Sequence, residues 1–138
     1  MSQPINILLV EDDDVDVQGI TRAFKKLKVA NPITRARDGL EALDILRSDK
    51  GRRLRPYLII LDLNMPRMNG IEFLTALRAD EALKDSIVFV LTTSKADEDK
   101  IEAYRLNVAG YIVKADPAKS FLDAVQMLDH YWRVVEFP

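Results

Sequence analysis

The sequence predicts a doubly wound α/β fold, in which helices cover both faces of a parallel β-sheet. Short apolar runs alternate with helical patterns along the whole chain of 138 residues. Several runs are aliphatic at successive positions, which is typical of strands that are buried on both faces. Because strand and helix alternate about five times, we expect parallel strands joined by right-handed crossovers.

Five strands are predicted from the apolar runs, at residues 5–10, about 33–37, 57–61, 87–91 and 111–113. Five helices are predicted where apolar residues recur at intervals of three and four. The apolar positions that define the helices are Val17, Ile20, Phe24 and Leu27; Leu40, Leu43 and Leu46; Ile71, Leu74 and Leu77; Ile101 and Tyr104; and Phe121, Leu122, Val125, Leu128 and Trp132.

Residues that favour turns and helix caps separate these elements. Asp13 or Asp14 can cap the first helix, Asp38 lies just before the second, and Gly70 begins the third. Residues 48–56, with the sequence SDKGRRLRP, are predicted to form a solvated connecting loop.

Composition is that of an ordinary globular domain, with 48% apolar and 30% charged residues, so we expect one domain over residues 1–138. The net charge of −2 argues against nucleic acid or an anionic membrane as a partner. The chain contains no cysteine, and its apolar runs are too short for a signal peptide. A cytoplasmic location is therefore expected.

Polar residues gather where the predicted strands end. Those positions are Glu11, Asp12 and Asp13 after the first strand, Asp62 after the third, Thr92, Thr93 and Ser94 after the fourth, and Lys114 after the fifth. Each type alone is common in caps, turns or solvated surfaces. In a doubly wound sheet, however, ligands bind just outside the carboxyl ends of the strands. Their joint placement therefore predicts a functional site at this edge.

The chemistry of these residues suggests phosphoryl transfer. Two carboxylates about 4 Å apart repel by roughly 4 kcal/mol at an effective dielectric constant of 20, so a cation is needed to hold them together. Ligands that are all hard oxygens favour Mg²⁺, which often shares its shell with phosphate. Asp62 is the natural acceptor, since a carboxylate can act as a nucleophile and form an acyl phosphate.

The segments ILLVEDDD, LIILDLNMPRMNG, FVLTTS and GYIVK occur in this order along the chain. With them the chain resembles the CheY-like receiver domains of two-component response regulators. The resemblance implies a flavodoxin-like (βα)₅ sheet with strand order 2-1-3-4-5. It also implies a phosphoacceptor in a two-component phosphorelay, which is not an enzyme beyond its own phosphotransfer and dephosphorylation.

The resemblance assigns roles to the acidic residues. Asp62 would accept a phosphoryl group from a histidine kinase. Mg²⁺ would be held by Glu11, Asp12, Asp62 and the backbone carbonyl of Asn64. The side chain of Asn64 would also tune hydrolysis of the acyl phosphate.

Further roles fall on the last two strands. Thr92 would bind a phosphoryl oxygen, Lys114 would neutralise the phosphoryl group, and Tyr111 would change rotamer together with Thr92. Thr93 and Ser94 occupy rate-tuning positions. Lys114 is followed by Ala115 where the family usually has proline, which leaves open whether that peptide bond is cis or trans.

The chain is expected to be a stand-alone receiver that signals through the face formed by the fourth helix, the fifth strand and the fifth helix. Residues 130–138, HYWRVVEFP, form an apolar tail that either folds back on the core or makes a homodimer or partner surface. The long last helix also resembles single-domain receivers paired with bacterial phytochrome histidine kinases. His130 is expected to be simply exposed.

Two other functions are compatible with parts of the pattern. One is a degenerate receiver that acts as an unphosphorylated interaction module, for which Ala115 is the supporting feature. The other is a Mg²⁺-dependent phosphohydrolase of the haloacid dehalogenase type, which also uses an aspartate nucleophile after a strand. That family places a second aspartate two residues later, where this chain has Asn64.

Overall fold

The computed structural model describes residues 5–115 and 117–138, and its centre is a five-stranded parallel sheet. The strands are β1 (Asn6–Val10), β2 (Ile33–Ala36), β3 (Tyr57–Leu61), β4 (Ile87–Thr92) and β5 (Gly110–Val113). They lie in the order β2-β1-β3-β4-β5, and all four neighbouring pairs are parallel. The predicted doubly wound fold and strand order are confirmed.

Six helices occur in the described residues, one more than predicted. They are α1 (Asp14–Lys26), α2 (Gly39–Arg47), α3 (Asp49–Leu54), α4 (Gly70–Ala79), α5 (Asp97–Arg105) and α6 (Pro117–Val134). The prediction of a loop over residues 48–56 was wrong, because α3 lies within it. This short helix buries Leu54 in the core and is basic only on its exposed side. The predicted signalling face is therefore α5–β5–α6.

The sheet separates two hydrophobic cores. On one face, the buried residues of α2, α3 and α4, together with Ala103 of α5, pack on the sheet. On the other face, α1 and α6 pack through residues that include Phe24, Phe121 and Trp132. Both faces of β3 are covered, which explains why this strand is buried at all five positions.

Capping residues fix the helices that begin beside the carboxyl edge of the sheet. Asp13, and not Asp14, caps α1, and its carboxylate accepts hydrogen bonds from the backbone N–H groups of Val15 and Asp16. Gly70 begins α4 as predicted, and Asn69 forms a capping box with Glu72. These caps hold the first turns of α1 and α4 next to the ends of β1 and β3.

The C-terminal tail folds back on the α1/α6 core. Trp132 is 9% exposed and stacks on Phe24, with ring centroids 6.3 Å apart. Tyr131 packs edge-on against Phe89 and Phe137, at 5.0 and 6.1 Å. His130 is exposed, as predicted. None of the helices in the described parts of the chain is long and apolar enough to cross a membrane.

Candidate functional site

Three carboxylates meet at the carboxyl ends of β1 and β3. Val10 and Leu61 are paired in register, so Glu11 and Asp62 leave the sheet side by side. One oxygen from each of Glu11, Asp12 and Asp62 lies within 4.8 Å of the others. Glu11 and Asp62 are buried, at 1% and 7% exposure, while Asp12 is exposed. The donors are all carboxylate oxygens, which suit a hard divalent cation such as Mg²⁺.

The electrostatics of the cluster also favour a cation. Burial raises the pKa of Glu11 from 4.5 to about 8, and the negative charge of Asp62 adds to this effect. The hydrogen bond from Lys114 lowers the Glu11 pKa but does not cancel the effect of burial. Additional positive charge beside Glu11 would therefore favour its ionised form at neutral pH.

Lys114 lies at the end of β5, and its side chain is only 2% exposed. Its Nζ atom is 2.7 Å from Glu11 Oε1, 2.8 Å from Asp16 Oδ2 and 4.0 Å from Asp62 Oδ2. Burial lowers the pKa of Lys114, but the hydrogen bonds to Asp16 and Glu11 outweigh it and raise the pKa above its usual value. The two close partners of Lys114 are therefore Glu11 and Asp16, and Asp62 is the most distant of the three carboxylates.

Asp16 is the site residue that the sequence analysis missed. The residues predicted for the site all follow strands, whereas Asp16 lies in the first turn of α1. The helical spacing could have indicated its position. Asp16 precedes the buried Ile20 by four residues and therefore lies on the same face of α1, which packs toward the core.

Thr92, Ser94 and Tyr111 form a connected group at the ends of β4 and β5. The Thr92 side chain is buried, and its Oγ1 accepts a hydrogen bond of 3.3 Å from the Ser94 N–H. The Tyr111 hydroxyl donates to the Ser94 carbonyl at 3.0 Å, and the Ser94 hydroxyl donates to Asp99 of α5 at 2.6 Å. Burial raises the pKa of Tyr111. Ser94 thus links the buried threonine to the half-buried tyrosine and to α5.

Asn64 and Thr93 are exposed beside the acidic cluster. The Asn64 N–H donates to Asp62 Oδ1 at 3.4 Å, and its side-chain amide donates to Thr93 Oγ1 at 3.5 Å. These contacts join the loops after β3 and β4. Together with Tyr111, the predicted site residues therefore lie along the same edge of the sheet.

The question of the peptide bond after Lys114 is also answered. The cis bond found within the described residues is Arg55–Pro56, so Lys114–Ala115 is trans. The backbone N–H of Lys114 donates to the carbonyl oxygen of Thr92 at 2.8 Å, and the N–H of Ala115 donates to the carbonyl oxygen of Val113 at 3.0 Å. Asp116 lies outside the described residues.

Comparison with known proteins gives consistent matches. Residues 7–126 match the family model described as response regulator receiver domain. The probable methanogenesis regulatory protein FilR2 of Methanothrix harundinacea is 38% identical over 94% of this chain and 84% of its own length. Response regulator Rcp1 of Synechocystis is 35% identical over 94% of this chain and 89% of its own length.

Solved structures agree with the sequence matches. The crystal structure of the phosphorylated cyanobacterial phytochrome response regulator RcpA superposes with a TM-score of 0.87, at 33% identity and over 99% of both chains. The Mn²⁺-bound form of Rcp1 superposes with a TM-score of 0.83, at 34% identity, over 98% of this chain and 99% of Rcp1.

Proposed function

The chain belongs to the response regulator receiver domain family, and from this premise we propose that it accepts a phosphoryl group on Asp62 from a histidine kinase. The observation that carries the proposal is the position of Asp62. Its carboxylate lies at the end of a fully buried strand, grouped with two further carboxylates and 4.0 Å from a buried ammonium. The cost of burying a carboxylate at such a position is offset when cationic groups lie close to it.

Glu11, Asp12, Asp62 and the backbone carbonyl of Asn64 would hold Mg²⁺. The compact group of three carboxylates and the raised pKa of Glu11 support this proposal. Rcp1, whose structure is known in a Mn²⁺-bound form, is a relevant relative. When bound, the cation supplies positive charge that offsets the charge of the carboxylates and of the incoming phosphoryl group.

In the phosphorylation step, an Asp62 carboxylate oxygen attacks phosphorus, and the bond from phosphorus to the histidine of the kinase breaks. The Lys114 ammonium and the Thr92 hydroxyl donate hydrogen bonds to phosphoryl oxygens. Asn64, Thr93 and Ser94 surround the new acyl phosphate and set its access to water. Neither Asn64 nor Ser94 is acidic, so neither side chain can act as a carboxylate base for its hydrolysis.

The signal would leave through the α5–β5–α6 face. A phosphoryl group brings about two negative charges, to which the Thr92 hydroxyl can turn. This turn would break the hydrogen bond from the Ser94 N–H and thereby alter the contacts of Tyr111 and Asp99 with Ser94. A partner that prefers one of the two arrangements shifts the population toward it.

The partners would be a histidine kinase and, through α5–β5–α6, a second copy of this chain or an effector protein. RcpA is described as a phytochrome response regulator, and its similarity to this chain supports a phytochrome-type kinase.

Incubation with acetyl phosphate and Mg²⁺, followed by mass spectrometry of the intact protein, tests the proposal. We expect the wild type to gain one phosphoryl group and Asp62→Asn to gain none. Asp123→Asn, at an exposed position of α6, is the matched control and should behave as wild type. Equal labelling of wild type and Asp62→Asn would contradict the proposal.

The same assay separates the alternatives. An interaction module that is never phosphorylated would gain no phosphoryl group with or without Mg²⁺. A phosphohydrolase would release phosphate from esters over many turnovers without remaining labelled.

A further inference from the structure

We propose that Asp16 is a positioning residue of the phosphorylation site, which fixes the Lys114 ammonium so that one of its N–H groups stays available for the phosphoryl group. This inference rests on the proposed function of Asp62. Asp16 would contact neither the phosphoryl group nor the metal, and would act only through Lys114.

The hydrogen-bond geometry of Lys114 supports this role. A lysine ammonium has three N–H donors. Two of them are engaged, by Glu11 at 2.7 Å and by Asp16 at 2.8 Å. The distance of 4.0 Å to Asp62 is too long for a hydrogen bond. Within residues 5–115 and 119–138, whose side chains the structure describes, the third N–H has no hydrogen-bond partner and can donate to a phosphoryl oxygen on Asp62.

Asp16 is the partner of Lys114 that metal binding would leave in place. Glu11 belongs to the group of three carboxylates that could hold a cation together, and Asp16 does not. A cation held by Glu11 would compete with Lys114 for the same carboxylate. Asp16 would then be the main anchor of the ammonium.

The local backbone makes such an anchor useful. Lys114 has a long side chain with many rotamers, and the residue after it is the exposed Ala115, which restricts the backbone less than a proline would. Asp16 itself is well held, because its N–H donates to the cap residue Asp13 in the first turn of α1. A carboxylate on a fixed helix thus takes over part of the positioning that the loop after β5 lacks.

Two physical effects of Asp16 predict opposite results. Its negative charge repels an anionic phosphodonor. If Asp16 acted only through this charge, its replacement by a neutral residue would speed phosphorylation. Loss of a positioning contact would slow phosphorylation, since small displacements of a contacting group cost about 10- to 100-fold in rate. The sign of the change therefore distinguishes the two.

The test compares rates of phosphorylation by acetyl phosphate and Mg²⁺ in variants at positions 16 and 14. We expect Asp16→Ala to be at least about tenfold slower than wild type, and Asp16→Asn, which keeps an oxygen acceptor, to be intermediate. Asp14→Asn is the matched control, because Asp14 also lies in the first turn of α1 but pairs with Arg35 at 2.7 Å. It loses the same charge and should not be slowed.

A second readout does not depend on phosphorylation. In metal-free protein, the Lys114 Nζ–H signal should be visible by NMR in wild type and in Asp14→Asn, because the ammonium is buried and donates hydrogen bonds to Glu11 and Asp16. It should broaden or vanish in Asp16→Ala. Asp16→Glu, which keeps the carboxylate, should keep the signal. Asp16→Asn, which loses the charge, should weaken it, so the comparison holds even if Asp16→Ala fails to fold.

The outcomes are distinguishable. If wild type is not phosphorylated, the proposed function fails, and the NMR signals alone decide whether Asp16 anchors Lys114. If wild type is phosphorylated and Asp16→Ala reacts at the same rate or faster, the positioning role is overturned.

Discussion

Replacement of Glu11 by glutamine should remove a large pH dependence from the stability of the metal-free protein. Glu11 is 1% exposed, and burial raises its pKa from 4.5 to about 8. Between these two values the folded state holds a proton on Glu11 that the unfolded state has lost. The free energy of unfolding must therefore fall as pH rises through this window.

The magnitude follows from the shift. Each pH unit within the window lowers the free energy of unfolding by about 1.4 kcal/mol. Because the slope flattens near pH 8, the protein should lose about 3 kcal/mol of stability between pH 5.5 and 8. Asp38 and Lys114, two other buried groups with shifted pKa values, contribute outside this window. The pKa of Asp38 is lowered by its contacts with Glu41 and Arg67, which outweigh its burial, so its contribution is lost only in acid. The raised pKa of Lys114 places its loss at alkaline pH.

Urea denaturation in EDTA at several pH values between 5.5 and 8 measures the effect. Wild type should lose stability across the range, whereas Glu11→Gln should change little and should be the more stable protein at pH 8. Glu136→Gln, at an exposed position of the tail, is the control and should follow wild type. A wild-type stability that is constant or rising, with the same profile in Glu11→Gln, would refute the reasoning.

Three further substitutions test other contacts. Arg78→Ala should cost at least about 3 kcal/mol of unfolding free energy, because its guanidinium donates to four backbone carbonyls around β4 and α5, and Arg78→Lys should not restore the loss. Gly70→Ala should cost about 1 to 2 kcal/mol and slow phosphorylation, because a Cβ atom would lie 2.7 Å from the Asp62 carbonyl oxygen; urea titration and mass spectrometry measure both. Trp132→Ala should cost about 3 to 5 kcal/mol in thermal or urea unfolding, and an unchanged stability would show that the tail does not pack on the core.

The sheet was readily predicted because its signal is local. Runs of aliphatic residues fix where a strand buried on both faces begins and ends, and β3 occupies the predicted residues 57–61. Helix α3 was not predicted, because its basic residues and Gly51 favour a loop by composition. Its stability depends on burial of Leu54 in the core, a tertiary contact that a local pattern does not reveal.

The site residues that follow strands could be predicted from the sequence, whereas Asp16, which lies on helix α1, was not predicted. The residues that follow strands meet at one edge because parallel strands end there. The contact between Lys114 and Asp16 depends instead on where α1 lies relative to the end of β5. The tail shows the same limit. Its apolar residues suit core packing and a partner surface equally, and the burial of Trp132 against Phe24 is a tertiary contact that the sequence pattern does not reveal.

The ligand roles of Asp62, Thr92, Lys114 and the acidic group stay predictions.

The most direct measurement is to locate the phosphoryl group. The protein is labelled with acetyl phosphate and Mg²⁺, reduced with borohydride to convert an aspartyl phosphate into homoserine, digested and sequenced by mass spectrometry. We predict homoserine at position 62, and none when Mg²⁺ is removed. Homoserine at another carboxylate of the site, such as Asp12 or Asp16, or at no position, would contradict the account.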